Sequence, residues 1–260
     1  MTDRVSVAVA GGIADVRLNR PDKLNALDPA MLEGIEATLK RLASEPELRC
    51  VVLSGEGRGF CAGLDLASMA ALDRPGDIIE RSHGSANIFQ HVAWGWRELA
   101  VPVIASVHGV ALGGGLQIMS GADIRIATPD ARLSIMEIKW GIVPDMGGIA
   151  LWRGLVRDDH LRELAMTARE FSGEQALALG FVTHLDADPL GCAMEMAMEI
   201  AGRNPDAVRA IKRLMNASHD KSADVILLNE SHEQQQIVGS ANQREAVAAA
   251  LQKRTPQFED

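Results

Sequence analysis

The sequence predicts a mixed α/β protein made of strand–strand–helix units. Three observations predict it. Apolar residues alternate with period two through Val5, Val7 and Val9, and again through Ala14, Val16 and Leu18, the pattern of half-buried strands. Leu32, Ile35, Leu39 and Leu42 recur on one face of a helix. Short apolar runs at 50–53, Val103–Val107 and Ile124–Ala127 are separated by helical patterns, as in a sheet of mostly parallel strands.

Taken in order, the first two strands form a hairpin turned by Gly11 and Gly12. Asp28 and Pro29 supply an N-cap and a first-turn proline for the helix that follows. Residues 50–53 make a buried strand and lead into GEGRGFCAGLDL, whose four glycines permit tight turns. Asp65 is placed to cap a helix beginning there. The strand Val103–Val107 leads to Gly113, Gly114 and Gly115, which open another helix. Ser172 and Gln175 carry a capping-box signature, and Gly180 closes that helix. Asn204 and Pro205 start a long helix, and no strand is expected after them. Residues 1–203 are therefore read as the core and 204–260 as a helical oligomerisation region, whose modest apolar faces need a partner.

With 260 residues, 47% apolar and 23% charged, the chain can bury one large core. No apolar run is long enough for a membrane span. The opening MTDRVSVAVAGG lacks the basic and apolar regions of a signal peptide. Cys50, Cys61 and Cys192 are odd in number and without motif spacing, which fits a reduced cytoplasm. A net charge of −9 with no basic stripe argues against a nucleic-acid partner. The seven histidines show no metal spacing.

Three segments can carry chemistry. The 55–66 loop reads by itself either as ordinary glycine punctuation or as a binding turn. The triple glycine after a strand presents bare N–H groups at a helix start, suited to a phosphate or to the oxyanion of a polarised carbonyl. Close helix–strand packing is its simpler reading. A dinucleotide fingerprint is excluded because Ile118 stands where its last glycine belongs. The third segment, MEIKWGIVPDMGG, sets Glu137 and Asp145 among Ile135, Met136, Ile138, Trp140, Ile142 and Val143. Burial of this segment is expected, and a carboxyl among apolar groups has a raised pKa and shuttles protons near neutral pH.

These segments, in this order and spacing, resemble the crotonase (enoyl-CoA hydratase/isomerase) superfamily. The resemblance runs from RPDKLNALD through FCAGLDL, ALGGGLQ and the 137–148 segment to QKRTPQF. It implies a crotonase-like spiral of stacked ββα units with a C-terminal α-helical trimerisation region, hence a homotrimer or a stacked hexamer. It implies an acyl-CoA thioester substrate, with CoA entering as part of that substrate and no separate cofactor or metal. It places the oxyanion-hole N–H groups on Leu64 and Gly114, where one lost donor costs about 3–4 kcal/mol of barrier. It assigns CoA contacts to Lys23, Leu24 and Ala26, to Ala62 and Asp65 in the loop, and to Lys253 near the C-terminus.

One departure bears on the reaction. Family hydratases hold water between two glutamates. Here the first of those positions is Gln117 and the second is Glu137. An amide holds water but does not take its proton. Asp145 stands where the dienoyl-CoA isomerase branch has an acid supporting the catalytic glutamate, and another isomerase branch works with a single glutamate at the Glu137 position. Three readings follow. Double-bond isomerisation of an enoyl- or dienoyl-CoA, with Glu137, Asp145 and Gln117 in the catalytic group, ranks first. Hydration of a 2-enoyl-CoA with a Gln117-bound water ranks second. A catalytically weak acyl-CoA-binding protein is the reading from another class. His108 is expected to be structural, and Cys61 has no paired histidine in the sequence. His83, His91, Trp94 and Trp96 lie in the stretch between Leu66 and Val101, which covers the acyl pocket in this family. The tryptophans are expected either to shape acyl selectivity or to pack on a neighbouring subunit.

Overall fold

The computed structural model describes residues 3–65, 67–68 and 78–260. Among the described residues, nine strands form two sheets. Strands β1 (Val5–Ala10), β2 (Ile13–Leu18), β3 (Cys50–Gly55), β4 (Val103–Val107), β6 (Ile124–Ala127) and β9 (His184–Leu185) lie in that order in a six-stranded sheet, and β5 (Val110–Leu112), β7 (Arg132–Ser134) and β8 (Phe171–Ser172) form a second. β1 and β2 are the antiparallel hairpin, and every later neighbour in the large sheet is parallel. The β4–β5 and β6–β7 pairs each send their first strand to the large sheet and their second to the small one. Cys61 joins β5 through a parallel bridge, so the 55–66 loop occupies the same place after β3. This repeated step is the ββα winding that the alternation of patterns predicts.

The caps form as expected. Asp28 accepts a hydrogen bond from the N–H of Met31 at 2.8 Å, opening helix Pro29–Ala43. Ser172 and Gln175 complete a capping box, and Gly180 ends that helix at φ +96°. The face Met31, Ile35, Leu39 and Leu42 is buried against Val16, Leu53 and Trp96 in one continuous core. Three helices, Pro205–Ser218, Ala223–Ile237 and Ala241–Gln252, follow residue 204, and no strand follows it among the described residues. The first is tied to the core by Lys212, whose Nζ donates to the carbonyls of Trp96 and Val101 and to Asp123. The second has no buried residue. Ile211, Met215, Leu227 and Leu228 remain exposed on the first two. No described helix is long and apolar enough to cross a membrane.

Two sequence expectations change here. Ile135 is buried, but Ile138, Trp140, Ile142 and Val143 are exposed. The chain turns through a short 3-10 helix, Glu137–Trp140, and then runs along the rim of a cleft, so apolar composition there marks a cavity wall rather than core. Trp96 is fully buried on helix Ile88–Glu98 and donates to the Val92 carbonyl, while Trp94 donates to Glu98; neither lines the cleft. Of the 66–101 stretch assigned to the acyl pocket, residues 66 and 69–77 lie outside the described residues.

Candidate active site

Two turns meet at the cleft because glycines allow it. Gly63 has φ +85°, and a Cβ there would sit 2.5 Å from the Leu112 carbonyl oxygen and 3.4 Å from the Gly114 nitrogen. A Cβ on Gly115 would collide with the Cys61 carbonyl. Only the absence of both side chains brings the 61–64 and 112–115 backbones together. Their approach is fixed by Cys61 donating to Val110 and Leu112 donating to Cys61.

Leu64 forms a parallel bridge with Leu27: Leu27 donates to Gly63 and Asp65 donates to Leu27. In a parallel bridge the middle residue of the second strand turns its own N–H to the opposite side. The Leu64 N–H therefore points away from Leu27. Neither the Leu64 nor the Gly114 N–H has a backbone acceptor among the described residues. Gly113 lines the cleft at φ +51°; Gly114, next to it, is not among the lining residues, and a Cβ on it would meet Met146 Sδ at 2.7 Å and Leu27 Cδ1 at 2.9 Å. The two N–H groups thus belong to adjoining turns.

The cleft has two arms that share Leu64, Glu137 and Ile142. One, of about 290 Å3, is lined by Lys23, Ala26, Ala62, Asp65 and Trp140 among others. The other, of about 500 Å3, is lined mainly by apolar groups (Ile78, Phe89, Val143, Met146), with Gln117 and Asp145. Glu137 is 5% exposed at their junction. Burial pushes its carboxyl above the ordinary carboxylate value, and the nearby N–H groups, Gln117's among them, only partly offset this.

Gln117 Nε2 donates to Glu137 Oε1 at 2.5 Å, and Gln117 Oε1 accepts from the N–H groups of Met146 and Gly148, each at 2.9 Å. Glu137 Oε2 is buried without a hydrogen-bond partner among the described residues. Asp145 Oδ1 accepts from Gln90 Nε2 at 2.8 Å, and Gln90 Oε1 in turn accepts from Arg81.

Of the residues singled out in the sequence, Glu137, Gln117, Asp145, Leu64, Lys23, Ala26, Ala62 and Asp65 line the cleft. Leu24 does not: it sits at φ +49° and its carbonyl accepts from the Ala62 N–H, a scaffold contact. Asp65 is engaged by Arg20 at 2.7 Å, which holds its carboxyl below the usual range, and it accepts from the Ala67 N–H as a cap would. Lys253 ends helix Ala241–Gln252 at φ +53°, exposed and outside both arms of this chain's cleft. His108 Nε2 is 3.0 Å from the Gly57 carbonyl, the structural role expected. The Cys61 thiol is pushed up to about 12 by burial and donates to the Asn25 carbonyl, so it is no nucleophile. Sequence reasoning missed Arg20, which joins Ala26, Asp28 and Asp65, and Gln90, which holds Asp145. Arg20 opens the RPDKLNALD segment as one of three nearby cations, with Arg17 and Lys23, and nothing in the sequence singles it out; Gln90 is marked locally only as the capping-box partner of Asn87, not as a partner of Asp145.

Residues 8–260 match the enoyl-CoA hydratase/isomerase family. The chain is 33% identical to the enoyl-CoA hydratase EchA19 of Mycobacterium tuberculosis, over 94% of this chain and 92% of that one. It is 32% identical to the peroxisomal Delta(3,5)-Delta(2,4)-dienoyl-CoA isomerase of Arabidopsis thaliana, over 93% of this chain and 90% of that one. The crystal structure of an enoyl-CoA hydratase from Bacillus anthracis superposes with a TM-score of 0.90 at 28% identity, covering 98% of both chains.

Proposed function

The chain belongs to the enoyl-CoA hydratase/isomerase family and has its crotonase fold, and on that premise we propose that it moves the double bond of an enoyl- or dienoyl-CoA, with Glu137 carrying the proton. The observation that carries this reading is the chemistry around Glu137: a buried carboxyl of raised pKa, with one oxygen unpartnered, whose side-chain neighbour is an amide rather than a second carboxylate.

In this reading the thioester oxygen is gripped by the N–H groups of Leu64 and Gly114. With a 3-enoyl-CoA, Glu137 removes a proton from the α carbon. The electron pair of that C–H bond spreads over the chain as a dienolate with its charge on the thioester oxygen. Glu137 returns the proton at the γ carbon, and the double bond has moved with no net gain or loss of atoms. A single carboxyl suffices because it first accepts and then donates. The smaller arm, with Lys23, Ala26, Ala62 and Asp65, takes the pantetheine side of CoA, Leu24 shapes that wall, and the larger apolar arm takes the acyl chain. Lys253 reaches CoA phosphates of a neighbouring copy in a homotrimer or stacked hexamer, and the exposed apolar residues of the C-terminal helices supply that interface. CoA enters with the substrate and no further cofactor is required.

One observation favours hydration as the second reading: Asp145 lines the same arm as Glu137 and is a carboxylate able to take a proton from water. The test is incubation of the full chain in D2O with 2-enoyl-, 3-enoyl- and dienoyl-CoA esters. Double-bond migration with exchange of carbon-bound protons, faster than hydroxyl gain, is the expected result. Fast 3-hydroxyacyl-CoA formation without migration would make the protein a hydratase, and binding without any turnover would make it an acyl-CoA-binding protein.

A further inference from the structure

The amide of Gln117 has one carbonyl oxygen with two lone pairs and two N–H donors. Both lone pairs are occupied, by the N–H groups of Met146 and Gly148. A flipped amide would set N–H against N–H at both contacts, so its orientation is dictated by the backbone turn that follows Asp145. Nε2 is thereby aimed at Glu137, where it donates to Oε1 at 2.5 Å. Gln117 is 1% exposed on the buried helix Gly114–Ser120, so it has no room to turn away. Glu137 Oε2 receives no such bond among the described residues.

The two oxygens of one carboxyl are therefore inequivalent. An N–H donor stabilises the oxygen that stays unprotonated, because a proton placed there would compete with it. We propose that Gln117 is the positioning residue of the proton shuttle: its amide, oriented by the Met146–Gly148 turn, pins Oε1 of Glu137 and leaves Oε2 as the oxygen that takes up and returns the substrate proton. This rests on the reading of Glu137 as proton carrier. The amide oxygen has no lone pair left to accept from water, so a water at Gln117 would be held by the second Nε2–H alone. Apart from the neutral Gln117 amide, Glu137 has these charged groups around it: Asp145 in the larger arm, Lys23 and Asp65 in the smaller, and Lys139 on its own turn. Glu137's burial, rather than any of these, is the main cause of its raised pKa.

Two variants of the full chain test the assignment. Gln117→Met keeps the length and removes donor and acceptor. Gln117→Glu, when protonated, reproduces the amide's pattern: its carbonyl accepts the two N–H groups and its O–H donates to Glu137. The first readout is a carbon-13 NMR titration of labelled glutamate carboxyls, with the Glu137 signal assigned by its loss in Glu137→Gln. Gln117→Met should move the Glu137 midpoint to higher pH, because the charged form has lost its donor. It should also lower kcat for double-bond migration by about 10- to 100-fold, the scale of a misplaced catalytic group, with KM nearly unchanged. Gln117→Glu should work nearly as well as the unmodified chain at low pH and decline at higher pH, as two carboxylates at this separation repel. An unchanged Glu137 midpoint and pH profile in Gln117→Met would overturn the proposal. So would a Gln117→Glu variant as impaired as Gln117→Met at every pH, since the protonated acid restores the geometry. If the unmodified chain moves no double bond, the shuttle reading falls, and the titration alone decides whether Gln117 holds the Glu137 carboxyl.

Discussion

Asp145 and Glu137 line the same cavity without being bonded to each other. Asp145 is held by Gln90, and Glu137 by Gln117. The two acids are thus anchored separately, one through helix Ile88–Glu98 and one through helix Gly114–Ser120. A neighbouring negative charge raises an acid's pKa. Asp145→Asn keeps an acceptor for Gln90 and removes the charge. It should shift the acidic limb of the kcat/KM profile to lower pH, with a smaller rate loss than Glu137→Gln. A loss as large as that of Glu137→Gln at every pH would make Asp145 a proton carrier itself.

Glu137→Gln should fold normally and bind CoA thioesters while kcat falls by about 10²- to 10⁴-fold, the size of a general acid–base contribution. Initial rates at saturating substrate, beside a circular dichroism spectrum, check this. Near-normal turnover would remove Glu137 from the mechanism.

The raised pKa of Glu137 also makes a stability statement. Its folded pKa lies above the unfolded value, so between the two the native state holds more protons than the unfolded chain, and the contribution to stability falls as pH rises through that window. Glu137→Gln removes the buried charge. Its Tm relative to the unmodified protein should therefore increase from pH 4 to pH 8. A difference that is flat or falls with pH would mean the carboxyl is not destabilised by burial.

Lys212 is buried, with its ammonium shared among two carbonyls and Asp123, and burial pulls its pKa below the ordinary lysine value. Lys212→Met should cost about 3 kcal/mol in urea unfolding, the lower end for breaking a buried pair, because the Asp123 side chain stays 26% exposed. A loss below about 1 kcal/mol would show that the carbonyls and Asp123 find water instead.

The exposed apolar residues on Pro205–Ser218 and Ala223–Ile237 are the surface through which the proposed assembly of three copies, or six, would form. Light scattering at micromolar concentration should give a trimer mass or twice that. The mass of a single chain would contradict it, and removal of residues 204–260 should expose further apolar surface and cause aggregation.

Much of this protein is written locally. The β1–β2 hairpin, the Asp28 and Ser172 caps, the buried strands and the strandless C-terminal region follow from alternation, periodicity and turn chemistry, each of which acts over a few residues. The glycine turns and Glu137 are legible for the same reason, since their spacing along the chain carries the family resemblance. Tertiary structure alone decided what surrounds Glu137. The direction of the Gln117 amide depends on two N–H groups 29 and 31 residues away, and the partner of Asp145 lies 55 residues away. Trp96 lies in the core rather than at the acyl pocket, and Ile138, Trp140, Ile142 and Val143 lie at the surface against what their apolar content suggests, because burial depends on which element packs above a residue. A hydrogen bond spans about 3 Å of space and nothing in local sequence encodes which distant groups will share that space, so the residue types at the site can be read in one dimension and the division of labour among them only in three.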